Sequence, residues 1–233
     1  GVVPRFTPED FRQRSQYGVG TDWPIDYDDL EPYYTEAEER LGVAGEQGPG
    51  DLDPRAGGDP MPPMPLTYNL ELLKDWAEKS GIPFWANPVA KNTVPYKGRN
   101  VCQRCDTCNI CPTGAKYSPD FTFRRLLDEG RIELLTRTLV RRLVPANDSD
   151  RIEEAVAVDR DTPSDPVRIR ARVFVVATGY AWSSHLLLLS ANSRFPEGLA
   201  NASGRVGAYI TGHRPVSALV EVPFRMYPGM MGN

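Results

Sequence analysis

Four cysteines follow one another at a constant spacing, and they are the only cysteines among the 233 residues. They are Cys102, Cys105, Cys108 and Cys111, and Pro112 comes directly after the last of them. Each neighbouring pair forms a C-x-x-C step, which is short enough for two thiolates to bind one metal centre, and a terminal Cys-Pro is typical of iron–sulfur sequences. The spacing therefore predicts a metal or cluster site in a loop over residues 101–112.

The same four residues allow other interpretations. Two local disulfides, a zinc knuckle or thiols without a role would leave the same pattern. Structural zinc usually takes its four ligands from two separated pairs, because a single short stretch must fold back sharply to surround a tetrahedral ion. The sequence alone leaves cluster, zinc and disulfide chemistry open at this loop.

Composition narrows the classes of protein. The 27 basic and 31 acidic residues are well mixed and give a net charge of -4, so no basic face for nucleic acid is indicated. No apolar run approaches the roughly 20 residues that a transmembrane helix needs, and no signal-peptide pattern follows Gly1. Both ends lack capping elements, so we expect an internal piece of a longer polypeptide.

Periodicity and capping residues predict helices in the first half of the chain. One begins at Thr7, one covers residues 28–41 and stops at Gly42, one begins with Asn69 as its N-cap, and one covers residues 118–130. Residues 84–94 have an extended pattern. The segment 45–65 is mostly Gly, Pro and Asp, and this composition predicts a long surface loop, a mobile lid or a connection, without core residues.

The second half predicts short strands at residues 132–135, 139–144, 155–158, 167–171 and 173–177. The run 173–177 is apolar on both faces, which is typical of a strand inside a parallel sheet. It leads into Thr178-Gly179 and a further helix. This turn either binds a ligand or is an ordinary strand-to-helix connection. The sequence thus predicts helices, then a meander of strands, then one strand–turn–helix unit. This order predicts an α/β or mixed α+β fold.

Five sequence blocks in a fixed order resemble one enzyme family. The blocks are DWPIDYDDLEPYYTEAEERLGVAG, CPTGAKYSPDFTF, GRIELLTRTLVRRLV, ARVFVVATGYAWSSHLLLLS and GLANASGRVGAYITGH. Together they resemble the middle of the glucose–methanol–choline (GMC) family of flavin oxidoreductases, and in particular its branch of gluconate, fructose and other sugar or polyol dehydrogenases. The resemblance covers nearly the whole chain, residues 23–213.

This resemblance implies part of an FAD-binding doubly wound fold with a substrate-domain insertion and a β-meander. Residues 1–130 would be mainly substrate domain, residues 131–200 FAD-binding domain, and residues 201–233 a return toward the substrate domain. The implied activity is FAD-dependent oxidation of a CH–OH group in an alcohol, sugar or polyol. The family's catalytic histidine lies downstream of the matching blocks, so we expect no catalytic residue here and no activity from this chain alone.

The family pattern also assigns cofactor contacts. Val140 matches a valine whose backbone contacts the adenine of FAD. The small-residue turn near the dinucleotide and the polar pair that follows it match Ala177, Thr178, Gly179, Ser183 and Ser184. Tyr180 departs from the pattern, because a small residue is usual there. His185 is interpreted as a helix N-terminal residue, and His213 as structural because no carboxylate precedes it.

Several sugar dehydrogenases of this branch carry three cysteines for a three-iron cluster where the cysteine loop stands, at wider spacing. The resemblance therefore implies an iron–sulfur cluster that passes electrons from reduced FAD to a cytochrome or quinone. It also implies a periplasmic or membrane-associated location, with a cytoplasmic one left open. A second interpretation is a small metal-binding electron-transfer module, which explains the cysteines but not the other four blocks. A third is a redox-inert fragment or interaction protein.

Overall fold

The computed structural model describes residues 2–105, 107–210, 212, 219 and 221–226 of the chain. The chain divides into two compact units, the first running to Asp128 and the second beginning at Glu129, while residues 221–226 belong to the first. Among the described residues, no helix combines the length and the apolar character that crossing a membrane requires.

Helices dominate the first unit. A 3-10 helix over Pro8–Arg12 leads into α1, Gln13–Tyr17, and a 3-10 turn covers Gly50–Leu52. The longer helices are α2, Tyr27–Leu41, α3, Tyr68–Lys79, and α4, Pro119–Asp128. The four helices predicted from the first half of the sequence are thus confirmed in position.

Local capping explains where these helices begin and end. Asp26 and Asp29 form a reciprocal capping box at the start of α2, and Gly42 ends the helix with a φ of 70°. The predicted cap of α3 is wrong. Thr67 is the N-cap, and its hydroxyl accepts a hydrogen bond from the Leu70 N–H. Since this threonine caps the helix two residues earlier, Asn69 lies inside the helix, where it is buried.

The segment 45–65 is not the simple surface loop that its composition predicts. Met61 is buried and bridges Ala44, and the Arg55 side chain is buried between the carboxylates of Asp53 and Asp59, with 2.8 Å to each. Glu38 of α2 lies 3.8 Å from the same guanidinium. Buried charges need partners, so this ion-pair network holds the segment in place. The Gly and Pro content, on which the loop prediction was based, gives no information on such ion pairs.

An antiparallel sheet forms the centre of the second unit. Its strands β1, Thr138–Pro145, β2, Ile152–Asp159, and β3, Pro166–Arg170, lie in the order β1-β2-β3 and confirm the predicted meander. Helix α5, Tyr180–Leu189, follows. The core of this unit is formed by Leu143, Ala155, Leu186 and Leu199.

Two predicted strands are wrong. Residues 132–135 and 173–177 are irregular in the structure. In the second segment Phe174 and Val176 pack against the core, whereas Val173 is 75% exposed and Val175 is 84% exposed. A strand needs a neighbour for its backbone hydrogen bonds, and within the described chain no strand lies beside 173–177. The described part is thus mixed α and β, and the doubly wound FAD fold stays a prediction.

Candidate functional site

The loop that carries the four cysteines is closed at its base. The Cys102 N–H donates to the Asn92 carbonyl at 2.8 Å, and the Asn92 N–H donates to the Ala115 carbonyl at 3.0 Å. Lys91 and Lys116 form an antiparallel bridge alongside. Backbone hydrogen bonds therefore bring together the residues that precede and follow the cysteines.

All four cysteines are free thiols in the structure. Cys105 is exposed and the other three are half-buried. Backbone N–H groups point at two of the sulfurs, from Arg104 to Cys102 Sγ at 3.4 Å and from Lys116 to Cys111 Sγ at 3.5 Å. Across the described ranges, no three Cys, His, Asp or Glu side chains converge to hold one ion. The loop fits an iron–sulfur group by donor type and by its N–H···S bonds, but the described arrangement does not gather the thiols.

The thiols differ in how readily they ionise. Burial alone would raise the pKa of Cys111, but hydrogen bonds from the Lys116 N–H and from Thr113 favour the thiolate and lower this pKa to about 7. Hydrogen bonds from Thr107 lower the pKa of Cys105. The thiolate is the form that binds metal, so the surroundings of Cys111 favour a ligand role near neutral pH.

An open cavity of about 360 Å³ lies beside the loop. It is lined by Cys108 and Cys111 on one side and by Lys116 and the first residues of α4, including Phe121, on the other. The ammonium group of Lys116 donates to the Cys108 carbonyl at 2.8 Å. There is accordingly room next to two of the four cysteines.

The turn at the start of α5 is the second candidate region. Gly179 is the N-cap, with φ 84° and ψ 158°, a conformation that essentially only glycine adopts. The hydroxyls of Thr178 and Ser183 lie 3.0 Å apart, and Ser184 donates to the Tyr180 carbonyl at 2.9 Å. A Cβ placed on Gly179 would meet no atom within 4 Å. The space over this turn is open.

Val140 belongs to the same unit as this turn. It lies on β1 beside a β-bulge, pairs with Ala157, and packs half-buried against the core of the second unit. Phe174 and Val176, just before Ala177, pack against that same core. One hydrophobic core thus supports both predicted parts of a nucleotide site.

The two histidines have different outcomes. His185 is exposed, and its ring centroid lies 5.6 Å from that of Trp182. Its predicted helix N-terminal position is wrong, because α5 begins at Tyr180 and His185 lies in the middle of this helix. His213 lies outside the described residues.

Sequence reasoning did not find Asn92 and Arg99, which lie at the base of the cysteine loop. The Arg99 guanidinium donates to the Ala115 carbonyl at 3.1 Å. Neither residue belongs to a recognisable motif, and their contacts join parts of the chain that only folding brings together.

Comparison with known proteins supplies relatives for the chain, although no family model matches it. It is 35% identical over 213 residues to the fructose dehydrogenase large subunit of Gluconobacter japonicus, covering 90% of this chain and 38% of that protein. It is 33% identical over 232 residues to paromamine 6'-oxidase of Streptomyces fradiae, covering 96% and 41%. It is 27% identical over 228 residues to the gluconate 2-dehydrogenase flavoprotein of Pantoea cypripedii, covering 82% and 36%.

These relatives are dehydrogenases and oxidases by name, and one is named a flavoprotein. The chain spans about two fifths of their length. The similarity extends over both units of this chain, so it does not depend on the cysteine loop alone.

Proposed function

We propose that this chain is the central part of an FAD-dependent oxidoreductase of the GMC type, which oxidises a CH–OH group of a sugar, polyol or other alcohol. The observation that carries the proposal is the 35% identity, over 90% of the chain, to a fructose dehydrogenase large subunit. The five ordered blocks support the same assignment. When bound, FAD would supply the hydride-accepting chemistry of such an enzyme.

Residues of the second unit would hold the adenine half of the cofactor. Val140 stands where β1 bulges, so its backbone groups can pair with the edge of a base while its side chain stays on the core. Gly179 leaves the start of α5 uncovered, and backbone N–H groups at a helix N-terminus attract phosphate. Thr178, Ser183 and Ser184 add hydroxyl groups at this turn.

Residues of the first unit would hold an iron–sulfur cluster for electron exit to a cytochrome or quinone. Its ligands would come from Cys102, Cys105, Cys108 and Cys111. Their free state, the N–H groups directed at two sulfurs and the lowered pKa of Cys111 support this role.

A small electron-transfer module built on the cysteine loop alone is the second candidate. The loop chemistry favours it, but the relatives match 82–96% of the chain rather than the loop. The oxidoreductase accounts for both units and is therefore preferred.

Anaerobic spectroscopy of the full-length natural protein tests the proposal. We expect it to purify with bound flavin that a sugar or polyol bleaches, while the 233-residue chain with added FAD turns over none of these substrates. A folded full-length protein that neither contains nor takes up flavin would overturn the assignment. Turnover by the 233-residue chain would instead overturn the expectation that its catalytic residues lie elsewhere.

A further inference from the structure

Asn92 is the central residue at the base of the cysteine loop. It is fully buried, and its side-chain amide donates to the Tyr96 carbonyl at 3.1 Å and the Arg99 carbonyl at 2.9 Å. Its own backbone accepts from the Cys102 N–H and donates to the Ala115 carbonyl. One residue therefore joins the segment before the cysteines, the first cysteine and the segment after the last one.

Arg99 adds a second connection across the base. One guanidinium nitrogen donates to the Ala115 carbonyl at 3.1 Å, and another donates to the Leu41 carbonyl at the end of α2. The guanidinium also lies over the ring of Tyr117, 5.5 Å from its centroid. A planar fork of donors can make these bonds together, which a single ammonium group cannot.

The end of α2 is the platform for this base. The hydroxyl of Tyr96 and the ammonium group of Lys97 both donate to the Glu39 carbonyl, one of the carbonyls that a helix C-terminus leaves without an intrahelical partner. The packing is close, since a Cβ on Gly42 would lie 2.4 Å from Arg99 Nη2 and 2.8 Å from the Tyr96 ring. The base of the loop is thus fixed to a regular helix.

This geometry reaches the outer cysteines through the chain segments next to them. The Asn92 amide holds the Arg99 carbonyl, three residues before Cys102, and the Arg99 guanidinium holds the Ala115 carbonyl, four residues after Cys111. The Cys102 N–H also donates to the Asn92 backbone carbonyl. The spacing between the two ends of the cysteine sequence therefore depends on bonds made by residues that carry no thiol. A thiolate site binds metal tightly only when its ligands are held at the right separation.

We propose that Asn92 and Arg99 are positioning residues, which set the separation of Cys102 and Cys111 and thereby the affinity of the loop for a thiophilic metal. Neither residue is a ligand. The inference rests on the metal-binding role of the cysteine loop in the proposed function.

The test compares metal binding by variants of the full-length protein. Iron content and electron paramagnetic resonance are measured first on protein purified anaerobically. The protein is then reduced, stripped of metal and titrated with cobalt(II), whose thiolate charge-transfer band reports bound thiols without any enzyme activity. We expect Asn92→Ala and Arg99→Ala to bind cobalt about 10–100-fold more weakly than the wild type, the usual effect of losing a residue that orients metal ligands.

Two further variants serve as controls. Arg99→Lys keeps the charge and can donate to one of the two carbonyls, so its affinity should fall between those of Arg99→Ala and the wild type. Arg40→Ala removes an exposed arginine of α2 that pairs with Glu36, and it should bind cobalt like the wild type. If Asn92→Ala does not fold, the order of cobalt affinity among the wild type, Arg99→Lys and Arg99→Ala tests the inference.

Wild-type cobalt affinity in folded Asn92→Ala and Arg99→Ala would overturn the inference. A wild-type protein that binds no cobalt would overturn it as well. If the wild type binds cobalt but never contains iron, the proposal of an iron–sulfur cluster is refuted. The order of cobalt affinity among the variants then still tests whether Asn92 and Arg99 position the thiols. Flavin content, measured on the same samples, reports separately on the proposed oxidoreductase.

Discussion

The buried hydroxyl of Ser190 accepts a hydrogen bond from the Leu143 N–H at 2.8 Å and so ties α5 to β1. The same hydroxyl donates to the Leu186 carbonyl at 2.7 Å, in the last turn of the helix. β1 carries Val140 and α5 begins at the Gly179 turn, so this bond connects the two elements that we assign to FAD binding.

Replacing this hydroxyl is expected to destabilise the second unit. Ser190→Ala leaves the buried Leu143 N–H without its acceptor, which costs about 1–3 kcal/mol of unfolding free energy. Urea unfolding measures the change. Ser193 is exposed nearby, and Ser193→Ala should change the unfolding free energy by no more than about 0.5 kcal/mol. Equal stability of the two variants would contradict the role given to the Ser190 bond.

A β-branched residue at position 179 should weaken flavin binding. Gly179→Val meets no steric obstacle, since the space around an added Cβ is empty, but its backbone conformation costs a non-glycine residue on the order of 1–3 kcal/mol. The turn is then expected to change shape and FAD retention by the full-length protein to fall. Ser164→Ala, in an exposed turn, should retain FAD. Equal retention in both variants would argue against a cofactor at this turn.

The ion-pair network of segment 45–65 predicts a pH dependence of stability. Burial raises the pKa of Asp59, against the opposing effect of Arg55. A carboxyl whose folded pKa is raised contributes stability that is fully present below the unfolded value, about 3.9, and is lost as the pH rises through the folded pKa. Asp59→Asn cannot ionise, so we expect its unfolding free energy to increase relative to the wild type as the pH rises above about 4. A difference that does not vary with pH would contradict this.

Loss of one thiol should separate flavin reduction from onward electron transfer. Cys108→Ser removes a soft anionic ligand, so we expect the full-length protein to lose its iron while a sugar or polyol still reduces its flavin. Transfer to a cytochrome or quinone should fall sharply. Iron analysis, low-temperature electron paramagnetic resonance and anaerobic flavin reduction measure these effects. Wild-type protein without iron, in which thiol titration finds two disulfides, would show a stapled loop instead.

Local patterns were sufficient for the helices and for three of the strands. The Asp26 capping box and the stop at Gly42 depend on residues within one turn of the helix ends, so the sequence contains all that fixes α2. The burial of Arg55 could not be predicted in this way, because it also depends on Glu38 of α2, which only the folded chain brings to Arg55.

The candidate site shows the same division. Spacing alone was enough to predict a metal or cluster site at the four cysteines, and this role stays a prediction. Asn92 and Arg99 could not be found, because their side chains donate to backbone carbonyl groups, and every residue carries such a group whatever its type. The FAD contacts at Val140 and Gly179 rest on family resemblance and stay predictions.

The segment 173–177, VFVVA, has a consequence for handling the protein. It contains neither charge nor proline, it lies outside the sheet, and its Val173 and Val175 side chains face solvent. Such short apolar segments pair with identical copies of themselves and start β-type aggregation, which flanking charges such as Arg172 counteract. Concentrated samples of the 233-residue chain should therefore self-associate first through this segment. A polar residue at position 175 would oppose that without disturbing the core, which Phe174 and Val176 contact instead.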